Sequence, residues 1–176
     1  MSQPPNTHIT VVCEIGVNFH ALAEAFDMIQ SAKAAGCDKA KFQCYDDSII
    51  KGSSLYDHLK EIQLDKDRCT QLFEYGKKVG IETFFTPMYP EAVSFLEEIG
   101  VQTYKIRERD GRALVSPDGS ASAVEPTPLI AKVLATQKPV YISVQRKPLD
   151  MHFLYNQRIS YLYCVPDYPT KLEDLQ

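Results

Sequence analysis

Apolar residues recur along the chain with two alternating periods. Residues 9–15 (ITVVCEI) form a short, nearly continuous β-branched run, the pattern of a strand covered on both faces. Residues 20–35 then place Leu22, Phe26, Ile29 and Ala32 at helical spacing, and Gly36 follows as a stop. The same pair of patterns repeats. Strands are predicted at 39–43 (KAKFQ), 81–85 (IETFF), 102–106 (QTYKI), 139–143 (PVYIS) and 159–165 (ISYLYCV). Between them, helices are predicted at 67–79 before Gly80, at 90–99 before Gly100, and at 128–136, where Pro128 sits near the first turn. A short helix at 148–157 and the start of another at 171–176 complete the reading.

Six alternations of strand and helix imply parallel strands joined by right-handed crossovers. Two architectures fit: an open doubly wound sheet and a (β/α)8 barrel. No G-x-G-x-x-G or G-x-x-x-x-G-K-[ST] follows any strand, which weakens a nucleotide-binding sheet. A barrel usually takes about 250 residues and needs eight strands. The expectation at this point is a single α/β domain over residues 1–176 with a parallel sheet; read as a TIM-barrel-type sheet, it has about six of eight βα units. Either the barrel is truncated, or the sheet is open, or a partner completes it. One stretch breaks the rhythm. Residues 107–126 carry the turn signals Asp110-Gly111 and Asp118-Gly119 and read as a long insertion loop.

Composition narrows the classes. The chain has 176 residues, 44% of them hydrophobic and 24% charged, enough to bury a core. With 19 Lys and Arg against 23 Asp and Glu, the net charge is −4, which argues against coating nucleic acid. No apolar run approaches the roughly 18 residues of a membrane span. The first eight residues are polar and Pro-rich with no signal-peptide pattern, so the expected location is cytoplasmic. Five cysteines with no C-x-x-C pair exclude a disulfide framework.

In parallel α/β folds the reacting groups gather at the C-terminal ends of the strands. There this sequence places Glu14, Lys41 with Gln43, Thr86, Lys105 and Ser143, and the sixth strand leads to Asp167, Tyr168 and Thr170. A buried ammonium is costly unless it meets an anion. Lys41 on the second strand and Lys105 on the fourth thus suggest an anion pocket beside one carboxylate. The plainer reading is that each lysine snorkels to solvent and Glu14 pairs with one of them structurally.

At these residues the chain resembles a known family. The blocks CEIGVN (13–18), KFQ (41–43), TP (86–87), YKI (104–106), KPVYIS (138–143) and YCVPDYPT (163–170), in this order, are similar to N-acetylneuraminate (sialic acid) synthases. The resemblance spans nearly the whole chain. It implies a (β/α)8 barrel followed by an antifreeze-like domain, a dimer, and condensation of phosphoenolpyruvate with N-acetylmannosamine or a related N-acetylated amino sugar. By resemblance, Lys41, Thr86, Lys105 and Ser143 hold phosphoenolpyruvate, Gln43 and Tyr168 contact the sugar, and Glu14 serves the chemistry. A divalent metal, Mn or Mg, is also implied.

Departures from the family pattern are equally legible. After YKI the chain reads Arg107-Glu108-Arg109-Asp110. Glu108 stands where a serine would help hold phosphate, and its carboxylate is expected to repel an anion. Asp110 is the expected stand-in for a sugar-binding glutamate. Val144-Gln145-Arg146 replaces a small turn after strand five, and Pro166 occupies a position that usually offers a polar side chain. The family's metal-binding histidines lie beyond the sixth strand. His8, His20, His58 and His152 show no ligand spacing that replaces them, so no metal ligand is assigned. Two alternatives stand beside a synthase: a non-catalytic homologue that binds an anion or a protein, and another phosphoenolpyruvate-dependent aldol-type synthase. Six strands leave two open edges, so a homo-oligomer is expected.

Overall fold

The computed structural model describes residues 8–112, 126–145, 157–165 and 170–174. Its strands are β1 (Val12–Gly16), β2 (Lys39–Cys44), β3 (Glu82–Pro87), β4 (Tyr104–Ile106), β5 (Val140–Val144) and β6 (Ile159–Tyr163). Every neighbouring pair is parallel, and the order across the sheet is the order along the chain. A doubly wound sheet reverses strand order at a switch point. This one never does, so the open-sheet alternative gives way to barrel-type winding.

The helices are α1 (Leu22–Ala34), α2 (Asp47–Ile50), α3 (Tyr56–Glu61), α4 (Lys66–Val79), α5 (Pro90–Ile99), α6 (Glu108–Gly111) and α7 (Pro128–Ala135). Each long one has a local cause. The Asp65 side chain accepts from the Arg68 amide at the start of α4, and Gly80 ends the helix in the left-handed region. Pro90 opens α5, and Pro128 opens α7 behind the Thr127 cap. Contacts run α1–α4, α4–α5 and α5–α7, one ring of helices on one face of the sheet.

Strand residues alternate between that ring and the opposite, concave face. Ala40, Phe42 and Cys44 of β2, Phe85 of β3, Tyr104 and Ile106 of β4, and Val140, Ile142 and Val144 of β5 are buried in the core. Tyr104 donates from its hydroxyl to Glu97 on α5, which fixes its direction. The alternate positions, Lys39, Lys41, Gln43, Glu82, Phe84, Thr86, Lys105, Tyr141 and Ser143, face the concave interior. A barrel interior is usually branched and apolar; this one carries charge. Its lower layer pairs Lys39 with Glu82 at 2.8 Å, and Thr103 bonds to both. The Lys39 ammonium also lies 5.8 and 5.7 Å from the ring centres of Phe84 and Tyr141.

The sheet is strongly curved. Three strand spacings separate β1 from β4, about 14 Å if the sheet were flat. Yet Lys105 of β4 reaches Glu14 of β1 at 2.7 Å. Six strands roll into a partial barrel, with β1 and β6 at its two rims. Leu162 and Tyr163 on β6 are exposed.

Three sequence readings are corrected. The first strand begins at Val12 rather than residue 9; Ile9 and Val11 lie beyond the start of β2 and stay exposed. Helices α2 and α3 interrupt a stretch without a predicted element. The first of the residues in the predicted 107–126 loop form α6. Helix 148–157 lies outside the described residues except for Gln157, and residues 172–174 form a short 3₁₀ turn.

Helix α4 rests directly on β3 through Gly76. A Cβ at that position would stand 2.0 Å from Thr83 Oγ1 and 3.0 Å from the Ile81 carbonyl oxygen. Gly76→Ala should therefore destabilise the fold by about 1–3 kcal/mol despite its better helix propensity. Urea denaturation followed by circular dichroism measures this; a midpoint equal to or above wild type would contradict the packing described.

Candidate active site

The upper layer of the concave face is organised by one carboxylate. Glu14 sits on β1 in register with Lys41 on β2. Its Oε2 lies 2.7 Å from Lys41 Nζ, and its Oε1 lies 2.7 Å from Lys105 Nζ. The side chains are 3% exposed for Lys41, 16% for Lys105 and 49% for Glu14. Two ammoniums share one carboxylate, so the cluster carries one net positive charge. Burial pushes the Glu14 carboxyl up, but Lys41 and Lys105 together outweigh it and hold Glu14 below the ordinary carboxylate range. Burial pulls the Lys41 ammonium below its ordinary value, and nearby Lys105 adds to this; Glu14 opposes both without cancelling them.

The backbone around Glu14 is shaped for this. Strand pairing slips between Glu14 and Gly16, a bulge at the strand's end. Gly16 takes φ +63, and a Cβ there would lie 3.9 Å from the Gln43 amide oxygen. Gln43 follows Lys41 on the same face and stands in register with Thr86 on β3. Thr86 is 1% exposed, and its hydroxyl has no partner. A buried unmade hydrogen bond costs about 1–3 kcal/mol, so an incoming acceptor at Thr86 recovers that cost. Ser143 on β5 is also buried and concave.

Two residues behave differently from the sequence reading. Asp110 does not stand free for a sugar. It lies in α6, where Arg107 holds it through Nε at 2.5 Å and Nη2 at 3.3 Å. Arg107 also reaches Met88 Sδ at 3.1 Å, just past β3. Glu108, expected to repel an anion, is itself compensated: Arg112 Nε and Gln145 Nε2 each donate to its Oε1 at 2.5 Å. Burial raises the Glu108 carboxyl, and these two partners more than reverse the effect. The spacings i,i+3 for Arg107–Asp110 and i,i+4 for Glu108–Arg112 were the available signals. Gly111 seats α6 on β5, because a Cβ there would come within 2.6 Å of the Ser143 carbonyl oxygen. Tyr168 lies outside the described residues.

Among the described residues, no group of three or more His, Cys, Asp or Glu side chains could hold a metal ion. The implied Mn or Mg therefore has no matching ligand set there. His8 pairs with Asp38 at 2.8 Å, and His20 packs against His58 with ring centres 4.9 Å apart and the rings tilted by 52°. No helix among the described residues is long and apolar enough to cross a membrane.

Comparison with known proteins now decides the family. Residues 28–176 match the NeuB family model. The chain belongs to the NeuB family. It is 29% identical over 185 residues to the human N-acetylneuraminate-9-phosphate synthase, covering 94% of this chain and 49% of that protein. It is 27% identical over 199 residues to the pseudaminic acid synthase of Helicobacter pylori, covering 99% and 54%. The chain spans about half the length of the curated relatives it matches. A solved structure of a candidate spore coat polysaccharide biosynthesis protein E from Chromobacterium violaceum superposes with a TM-score of 0.74 at 19% identity, over 94% of this chain and 52% of that one. That likeness confirms the barrel-type fold.

The Glu14 cluster makes an asymmetric prediction. Glu14→Gln leaves two ammoniums, one of them buried, without their carboxylate, and should cost about 2–3 kcal/mol, less than a fully buried pair because Glu14 is half open. Lys41→Met leaves Glu14 with Lys105 and should cost less. Glu14 has a lowered folded pKa, so its contribution is present above the ordinary carboxylate range and fades as pH falls through the folded value. Urea titrations at neutral pH and at pH values below that range read both effects. Equal losses for the two variants at neutral pH would contradict the shared-carboxylate geometry.

Proposed function

We propose that the chain binds phosphoenolpyruvate on its concave face and serves a nonulosonic acid synthase. The supporting observation is the single carboxylate shared by Lys41 and Lys105 beside an unpartnered buried Thr86 hydroxyl. Phosphoenolpyruvate carries a carboxylate and a phosphate. Two ammoniums with one net positive charge suit it, and Thr86 and Ser143 supply neutral donors. The acceptor is N-acetylmannosamine or a related N-acetylated amino sugar, approached from Gln43 and Tyr168. The enol carbon attacks the sugar aldehyde, water adds to the resulting oxocarbenium, and phosphate leaves. Glu14, lying between both lysines at the open rim, stabilises that cation or moves its proton. The Arg107–Asp110 pair supports a second reading, a homologue that binds an anion without turnover, because the sugar-side carboxylate is already occupied.

The reading includes assembly and location. Among the described residues β1 and β6 end the sheet, and this position together with the exposed Leu162 and Tyr163 favours a homo-oligomer. The expected location is the cytoplasm, where phosphoenolpyruvate is made.

Ligand linkage tests the binding claim. Phosphoenolpyruvate at millimolar concentration should raise the melting temperature. Lys41→Met should remove most of that rise, and Lys60→Met, whose exposed ammonium pairs with Asp47, should keep it. Equal responses of the two variants would refute the site. Phosphate release with N-acetylmannosamine separates the two readings: release that Glu14→Gln suppresses supports the synthase, and binding without release supports the homologue.

A further inference from the structure

The concave cluster contains more than an electrostatic cradle. Lys41 Nζ is nearly removed from water, lies 2.7 Å from a carboxylate oxygen, and shares that carboxylate with a second ammonium. A lysine that is desolvated beside another cation is the arrangement that makes an amine available as a nucleophile. Among the described residues Glu14 is the proton acceptor paired with the Lys41 ammonium, and Glu14 is 49% exposed on the rim strand. Lys39, two residues away on the same face, has the opposite arrangement. It is paired to its own carboxylate, Glu82, hydrogen-bonded to Thr103, and capped by two aromatic rings. Within one strand, one lysine is fully committed and the other shares its partner.

We propose that Lys41 is a carbonyl-capturing amine that forms a Schiff base with small 2-oxo acids of the pyruvate class. Lys105 receives the oxo acid's carboxylate. Glu14 accepts a proton from the Lys41 ammonium. The neutral amine then adds to C2, forming the C–N bond as the C=O π bond breaks, and a second proton passes from nitrogen to the carbonyl oxygen, which becomes the hydroxyl of a carbinolamine. Glu14 returns its proton to that hydroxyl, the C–O bond breaks and water departs. Ammonium plus ketone thus gives iminium plus water. The nitrogen is neutral in the amine and the carbinolamine and carries one positive charge at the start and at the end, so the ion pair with Glu14 is restored in the product. An iminium at C2 is the electron sink that aldol addition or cleavage at C3 requires. This activity goes beyond the synthase reading, in which Lys41 acts only as a cation.

The test is reductive trapping of the full chain. Pyruvate and sodium cyanoborohydride at neutral pH should convert one lysine to a reduced pyruvyl adduct, seen as one added mass on the intact protein. Tandem mass spectrometry of the peptides should place it on Lys41. Lys41→Arg keeps the cation but cannot form the imine, and should abolish the adduct. Lys105→Met should slow its formation at least tenfold. Circular dichroism and melting curves establish that each variant is folded. Labelling spread over exposed lysines, labelling at Lys105, or none at all would overturn the proposal. The thermal shift with phosphoenolpyruvate is read separately. If Lys41→Arg retains that shift and loses the adduct, both readings stand; if wild type shows the shift and no adduct, only the Schiff-base proposal falls.

Discussion

One carboxylate holds the concave side of this fold together. Glu14 lies on the first strand, and the ammoniums it binds come from the second and the fourth. Its contact with Lys105 exists only if the sheet curls, and the curl in turn brings Lys41, Gln43, Thr86, Lys105 and Ser143 around one space. Curvature, site assembly and charge balance thus depend on the same group. The energetics are those of a shared ion pair near a surface. Lys41 has lost its water, so the carboxylate that compensates it is needed for folding.

The interior is built in two electrostatic layers with different purposes. Below, Lys39, Glu82 and Thr103 pair with one another, and the rings of Phe84 and Tyr141 flank the Lys39 ammonium. Above, positive charge exceeds negative by one, and the Thr86 hydroxyl has no partner. A satisfied layer stabilises; an unsatisfied one is prepared for a ligand. The C-terminal strand ends, where parallel barrels place their reacting groups, carry the unsatisfied layer. Helix α6 adds a second charge-balanced unit at the mouth. Arg107 on Asp110 and Arg112 on Glu108 compensate both carboxylates of the stretch, so the mouth does not oppose an anion.

Much of this was legible in the residues. The alternation of β-branched runs with helical spacing, punctuated by Gly80 and Gly100, marks long elements because each has a strong period and a stereochemical stop. The rhythm alone left two windings open; the resemblance pointed to the barrel, and the strand order bears it out. Helix α3 escaped because it has no fully buried residue, only Leu59 packing partly against the core, and so no apolar stripe, and α6 because four residues ending in Asp110-Gly111 look like a turn. Among site residues, Glu14, Lys41 and Lys105 do converge as their strand-end positions imply. The tie between Arg107 and Asp110 was missed because Asp110 was read for its charge alone and not for the arginine one turn earlier.

The central claim is that Lys41 and Lys105 form one anion site through Glu14 while Lys39 belongs to a closed structural network. Nitrogen-15 NMR of the lysine ammonium groups, titrated with phosphoenolpyruvate, addresses it directly. The Lys41 and Lys105 Nζ resonances should move together along one binding curve, and Lys39 should stay fixed. Movement of Lys39 equal to that of Lys41, or separate binding curves for Lys41 and Lys105, would contradict the account.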